Sequence, residues 1–463
     1  MKGEPIVDLL IKNGDLVTEK GLIKADLAVS AGKIEAIGFF PGDKADRVLD
    51  AVGKLVFPGV IDAHTHYGLV TKGAVTVDGW EEGTRSAACG GVTTCIDYAD
   101  PLSGEQLDKG AKQRLAEADG EALIDYTVHM VIHRWDEKMK PQLAALKNVG
   151  IESLKIFTTY DQRLPEKDLK ALLTDAKSHK MLVTVHAEDN SLVEKARIEL
   201  EEKGEKSPAR HGDSRPAKAE EKAIIDVLES ARIVKVPVYF VHISSGLGAR
   251  RIAEAQKAGQ KVFGETCPHY LLLDDSLYAR EDPRPYIMTP PLRPKGNQDQ
   301  LWQSIINGTL QVVATDHCAY TLEQKALSKD CFTTIPGIPG SETMLPLLYN
   351  YGVNGGRFDP CYLAYLLSTN PAKIFGLYPR KGSIRPGSDA DLVIFDPGKK
   401  VVLDGRKLHS ASNYTPFDGK EMKGYPETTI LRGNLIYHKG KFIGAAGQGR
   451  FIKAETVSAA YKF

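Results

Sequence analysis

The sequence predicts an α/β fold: a (β/α)8 TIM barrel with a second, smaller β-sandwich domain formed by both chain ends. Three observations lead there. Eight strand-like apolar runs follow one another through the middle of the 463 residues, separated by helix-like stretches of mixed charge, the order expected of parallel βα units. Both ends carry short alternating segments punctuated by glycine and charge instead. Five of the eight runs finish in or near a histidine, lysine or aspartate, at the end where such barrels concentrate their polar side chains.

Residues 1–56 contain "DLLIKNGDLV", "KADLAVSAGKIEAIG" and "ADRVLDAVGK", which read as antiparallel strands joined by tight turns. The barrel is expected over 57–378. Its runs are "KLVFPGVIDAHTH", "VTTCIDYA", "DYTVHMVIH", "SLKIFTT", "MLVTVHAE", "VPVYFVHISS", "KVFGETC" and "LQVVATDHC". Between them "EQLDKGAKQRLAEAD", "PEKDLKALLTDAKSH", "AEEKAIIDVLESARIV" and "GARRIAEAQKAG" have helical texture, and charge runs such as "EKARIELEEKGEK" are solvated helix faces. From 379 to 463 the opening texture returns in "GSIRPGSDADLVIFDP" and "TTILRGNLIYHKGKFIG". The likeness of "LLIKNGDLVTEKG" to "ILRGNLIYHKG" pairs the two ends in one discontinuous domain. The tail "GAAGQGRFIKAETVSAAYKF" either latches onto a neighbouring subunit or folds back on its own chain.

Sixty basic and sixty acidic side chains cancel, so no electrostatic footprint favours nucleic acid or an anionic membrane. A small, roughly neutral ligand fits better. The opening "MKGEPIVDLLIKNGD" breaks any apolar stretch a secretory signal needs, and no segment approaches ~18 consecutive apolar residues; the expectation is a cytoplasmic protein. Cys89, Cys95, Cys267, Cys318, Cys331 and Cys361 lack C-x-x-C spacing, which argues for reduced thiols rather than a disulfide framework or zinc ribbon.

The first run ends in "DAHTH". On a strand, positions i and i+2 share a face, so His64 and His66 can converge on one point, although an isolated H-x-H fits a structural pair equally well. The other runs tip the balance. Lys155 lies in the fourth, His186 ends the fifth, the sixth reaches His242 and the eighth ends at Asp316. Singly, His186 or His242 could be a hydrogen-bonded core histidine, Asp316 a helix N-cap and Lys155 a snorkelling lysine. Together, unsatisfied polar groups at one end of one barrel would cost several kcal/mol apiece, whereas a nitrogen and oxygen cage of this kind suits zinc or manganese. Lys155 cannot ligate a cation as an ammonium. Burial lowers a lysine pKa and makes the neutral amine available for CO2 addition, which gives an anionic carbamate with two oxygens.

The strings "DAHTH", "SLKIFTTY", "VTVHAED", "VHISS", "ETCPHY", "TPPLR", "ATDH" and "GSDADLVIFDP", in this order, resemble the hydantoinase and dihydropyrimidinase family of cyclic amidohydrolases over nearly the whole chain. The resemblance implies two divalent metal ions, zinc or alternatively manganese: His64 and His66 on the first with Asp316, His186 and His242 on the second, and N6-carboxylysine at Lys155 bridging both. It also implies hydrolysis of a cyclic amide or imide of the hydantoin or 5,6-dihydropyrimidine type to an N-carbamoyl amino acid by a metal-bridging hydroxide. Tyr160, five residues beyond Lys155, would stabilise the oxyanion; Asp316 would act as base and then as acid. No nucleotide or flavin is needed, and a homo-oligomer, dimer or tetramer, is expected.

Thr289, before "PPLR", carries over as a backbone contact to the cyclic ureide where relatives usually have serine. The stretch "IPGIPGSE" departs further, because relatives typically read Pro-Asn-Gly and here Gly337 follows Pro336 directly. "DHCAY" similarly replaces "DHCPF". Phe157 and the "YGLV" stretch after His66 are candidate walls around the ring substituent, and equally candidates for plain packing. His269 and His317 read as structural or supporting residues, since adjacent strand residues point to opposite faces. Allantoinase and dihydroorotase share the fold and ligands; Tyr160 favours the hydantoin side. The dihydropyrimidinase-related scaffolding proteins form a different class that lacks the metal centre, and retention of all six ligands argues against it.

Overall fold

The computed structural model describes residues 7–42, 44–71, 73–101 and 105–455. Strands Val7–Thr18, Gly21–Ser30 and Lys33–Gly38 form an antiparallel meander that buries Leu9, Ile11, Leu27, Val29 and Ile34 in one cluster. From the other end, Leu392–Val402, Glu421–Leu431, Asn434–His438 and Lys441–Phe442 pair in sequence order. Leu55–Pro58 joins the halves by running antiparallel to Leu392–Val402, with Ile394 opposite Val56. The result is one sheet of nine strands.

Two pairings depart from the expected antiparallel pattern. Ala45–Asp50 and Leu55–Pro58 both run parallel to Val7–Thr18, because the turn in which Lys54 N donates to the Ala51 carbonyl at 2.9 Å keeps the chain heading toward the barrel. Gly59 makes the crossing. A Cβ there would lie 2.1 Å from Thr93 Oγ1 and 2.9 Å from the Asp391 Cβ, so only glycine lets sheet and barrel approach this closely.

The eight runs become eight parallel strands, each hydrogen-bonded to the next: Val60–Asp62, Val92–Ala99, Asp125–Val131, Ser153–Phe157, Leu182–His186, Val238–Phe240, Val262–Thr266 and Val312–Val313. The ring closes through a parallel bridge between Thr65 and His317, where His66 N donates to the His317 carbonyl at 2.8 Å. Helices Leu107–Ala118, Glu166–Ser178, Ala217–Val234 and Gly246–Lys257 occupy the stretches with helical texture. In Glu166–Ser178 the buried residues are Leu169, Leu172, Leu173 and Ala176, the i, i+3, i+4, i+7 stripe that faces a core.

Opposite the strands' C-terminal ends, Ile61, Ile96, Leu182, Tyr239 and Phe263 fill the barrel and pack against Phe375, Leu377 and Ile452. Ile452 belongs to the tail, whose described part folds back on its own chain. Its N–H donates to Tyr126 O at 2.8 Å, and Glu455 N donates to Gly376 O at 2.8 Å. Residues 456–463 of that tail lie outside the described residues. The six cysteines are free.

Candidate metal centre

Strand register aims the first of the site residues. Lys155 pairs with Thr184 and Phe157 with His186, and parallel neighbours share a face, so these side chains leave adjacent strands in the same direction. At three other positions the backbone itself turns. Tyr160, His242 and Asp316 have φ of 68°, 39° and 51°, three of the ten non-glycine residues with positive φ among those described. Such conformations cost about 1–3 kcal/mol each and persist where the surroundings over-determine them.

Two groups of ligand atoms result. His64 Nε2 lies 3.1 Å and His66 Nε2 3.2 Å from Asp316 Oδ1, and the two imidazole nitrogens are 3.2 Å apart. His186 Nδ1 lies 2.9 Å from His242 Nε2. Ligand atoms of His64, His242 and Asp316 fall within 4.8 Å of one another, which ties the groups together. Imidazole nitrogens packed against each other and a carboxylate present lone pairs toward common points, the donor set zinc takes. Burial pushes His64 and His242 well below the ordinary histidine value and lowers His186 too, with Asp316 pulling His64 the other way. Burial works to raise the Asp316 carboxyl, yet His64 and His66 hold it well below the usual carboxylate range.

Lys155 is fully buried beside these atoms. Among the described residues it has no carboxylate at ion-pair distance; its Nζ stands over the rings of Tyr98 and Phe157, at 5.0 and 5.2 Å from their centres. Burial lowers its pKa to about 8, against the opposing pull of Asp316 and Glu265. A buried cation without a paired anion is costly, so the amine fits conversion to an anion that two metal ions could share.

The remaining site residues divide. The Tyr160 ring centre lies 5.2 Å from His186 and 6.0 Å from Phe157, and the Thr289 side chain lies beside its phenol. Gly337 donates its N–H to Ile287 O at 3.0 Å, two residues before Thr289; with φ of 143° and Cys318 O only 2.3 Å from an added Cβ, the position excludes any side chain. Phe157 is half-buried. Tyr67, from "YGLV", is buried and bonded to Ser341 Oγ at 2.9 Å, which makes it packing rather than a wall. His317 accepts from Gly340 N and Ser341 N at Nδ1, at 3.1 and 3.2 Å, and so donates from Nε2 to Asp78 at 2.9 Å; it pins loops together. His269 is buried, contributes no atom to either group, and its Nε2 has no partner among the described residues.

The family model "Amidohydrolase family" matches residues 55–436. The chain belongs to the amidohydrolase family. It is 36% identical to the D-hydantoinase of Ralstonia pickettii over 453 residues, covering 96% of this chain and 99% of that one. It is 37% identical to the D-phenylhydantoinase of Escherichia coli over 450 residues, covering 96% and 98%. The crystal structure of dihydropyrimidinase from Brevibacillus agri superposes with a TM-score of 0.95 at 35% identity, covering 96% of this chain and 98% of that one.

In this amidohydrolase four side chains at the site had drawn no notice in the sequence. Glu265 accepts from Tyr239 OH at 2.8 Å and His242 N at 3.1 Å and lies 2.9 Å from His64 Nδ1, which leaves His64 Nε2 facing Asp316. Glu188 does the same for His186, at 2.7 Å from Nε2. Tyr98 stacks on His66 with centres 4.8 Å apart. Arg215 forks onto Glu188. An acid inside the apolar run "KVFGETC" and a glutamate two residues after His186 were visible signals; nothing local marks Arg215. Such outer partners fix ring orientation and ligand basicity.

Proposed function

We propose that this chain hydrolyses a ring C–N bond of a small cyclic ureide or imide, of hydantoin or 5,6-dihydropyrimidine type, to an N-carbamoyl amino acid. Support comes from the meeting of five ligand side chains from four strand ends beside Lys155, a buried amine with no carboxylate partner among the described residues. The relatives' names agree with it.

His64, His66 and Asp316 would hold one divalent ion, zinc or alternatively manganese, and His186 and His242 a second. The Lys155 amine would add CO2 with loss of a proton, and its carbamate would serve both ions. Bound ions of this kind supply hydroxide at neutral pH by lowering the pKa of water from 15.7 towards about 7. Asp316 takes up the proton released on attack and delivers it to the leaving ring nitrogen. Tyr160 donates its phenolic hydrogen to the oxygen of the attacked carbonyl as charge develops there, and the Thr289 backbone holds the ring. The same reading takes the protein as a cytoplasmic dimer or tetramer, which native mass tests.

The deciding experiment combines metal analysis of purified protein with competition among dihydrouracil, hydantoin, 5-substituted hydantoins and allantoin. Ring opening of a hydantoin or dihydropyrimidine with about two ions per chain is expected. Well under one ion per chain at adequate supply, with no ring opening, would sink the reading and revive a scaffolding role. Because Gly337 follows Pro336 directly, without the asparagine that the family resemblance leads one to expect, preference is expected to depart from simple dihydrouracil; strong selectivity for dihydrouracil counts against that part.

A further inference from the structure

Arg215 follows the short helix His211–Ser214, 27 residues beyond Glu188 in sequence, and its guanidinium is attached on two sides. Nε lies 3.1 Å from both Glu188 oxygens and Nη2 lies 2.6 Å from Oε2. The guanidinium carbon stands 4.8 Å from the centre of the Tyr160 ring. Glu188 in turn holds His186 Nε2 at 2.7 Å, which turns Nδ1 toward His242. The backbone is anchored as well. Arg293 donates from Nη1 to Arg215 O at 2.6 Å and from Nε to Ser244 Oγ at 3.0 Å, two residues beyond His242.

We propose that Arg215 is a positioning residue that sets His186 and Tyr160 as one unit, so that a ligand of the second ion and the phenol that meets the carbonyl oxygen keep a common register. This rests on the function proposed above. A glutamate alone can rotate about its side-chain bonds, whereas a planar fork fixes the carboxylate plane, and an ammonium could not. The same plane offers a face to the Tyr160 ring, an attraction between cation and π-system. That tether matters because Tyr160 sits at φ of 68°, a backbone state that neighbours must hold in place. The Arg215 side chain is mostly buried and Glu188 fully so, so the fork is not loosened by water.

The test uses the full chain loaded with zinc, in wild-type form and as Arg215→Lys and Arg215→Met, each with and without Tyr160→Phe. Zinc retained per chain under a competing chelator is one readout; kcat and KM for hydantoin are the other. Retention of the second ion is expected to weaken by about 10–100-fold and kcat to fall by a similar factor, the usual cost of losing an outer partner, with KM moving far less. In the Tyr160→Phe background the Arg215 change should cost clearly less in kcat than it does alone, because contacting residues couple. A purely structural arginine would give equal costs in both backgrounds. Full zinc retention with equal costs would overturn the proposal; should the Met variant fail to fold, the Lys variant, which keeps the charge but loses the fork, decides it. Wild-type protein that binds less than one ion per chain would remove the underlying function, a failure seen in the wild type and thus distinct from one confined to the variants.

Discussion

Replacing Gly337 by alanine probes the loop that packs between Ile287 and Cys318. The φ of 143° belongs to a region open to glycine, and an added Cβ would meet Cys318 O at 2.3 Å and both the Cβ and Sγ of Cys318 at 3.1 Å. Backbone strain of this kind costs about 1–3 kcal/mol and overpacking against a fixed backbone oxygen about 1–3 kcal/mol more. The sum is therefore about 2–6 kcal/mol if the loop stays in place. If it moves instead, the bond from Gly337 N to Ile287 O, now 3.0 Å, opens and Thr289 shifts with it, so the loss appears as a raised KM. Urea unfolding of wild type and Gly337→Ala, with KM for the preferred cyclic ureide measured beside it, reads both. A variant with its stability within about 0.5 kcal/mol of wild type and an unchanged KM would refute the reasoning.

Lys155→Ala is expected to lose bound metal and activity, with partial recovery when short carboxylic acids are added to stand in for the carbamate; unchanged turnover would remove the bridge. Lys381 ties the sheet to the barrel through Asp125 and Asp391 at 2.5 Å and Asp389 at 3.0 Å. Lys381→Met leaves buried Asp391 without its cationic partner, while Asp125 keeps Arg432 and Asp389 keeps Arg380 and Lys33, and should cost about 3–5 kcal/mol, read from the shift in urea midpoint. His211 is buried, donates from Nε2 to Met288 O at 2.8 Å, and burial lowers its pKa to about 4. A depressed folded-state value means that the unfolded chain binds the proton first. Stability from this residue is present above pH 6.5 and drains away as pH falls toward about 4, by up to about 3 kcal/mol. His211→Gln should flatten that part of the acid-unfolding curve, and an identical curve would contradict the assignment.

Much of the site was legible because barrel chemistry gathers where strands end. His64, His186, His242 and Asp316 each close an apolar run, and one-dimensional order was enough to place them at one rim. Lys155 stood out for the opposite reason, a charge inside a run with no local partner. Glu265 was a visible acid in "KVFGETC" and Tyr98 an unremarkable aromatic in "VTTCIDYA"; for both, the period of two tells that neighbours take opposite faces but not which face looks inward. Arg215 sits in a loop without periodicity, and only the docking of that loop over the fourth and fifth strands brings its guanidinium to Glu188 and Tyr160. The "YGLV" stretch fitted wall and packing equally well in the sequence, and Tyr67, which turns to Ser341, takes the packing side.

The linear order of residues pointed to the architecture, since apolar runs alternating with helical stretches suit a parallel barrel, and it put imidazole, amine and carboxylate groups at strand ends, where a shared cation would satisfy them. Tertiary structure alone decided which partner orients each imidazole, why residue 337 is glycine, and how the two chain ends share one sheet. Those contacts join residues tens to hundreds of positions apart, and their strength depends on distances and directions that exist only once the chain has closed on itself.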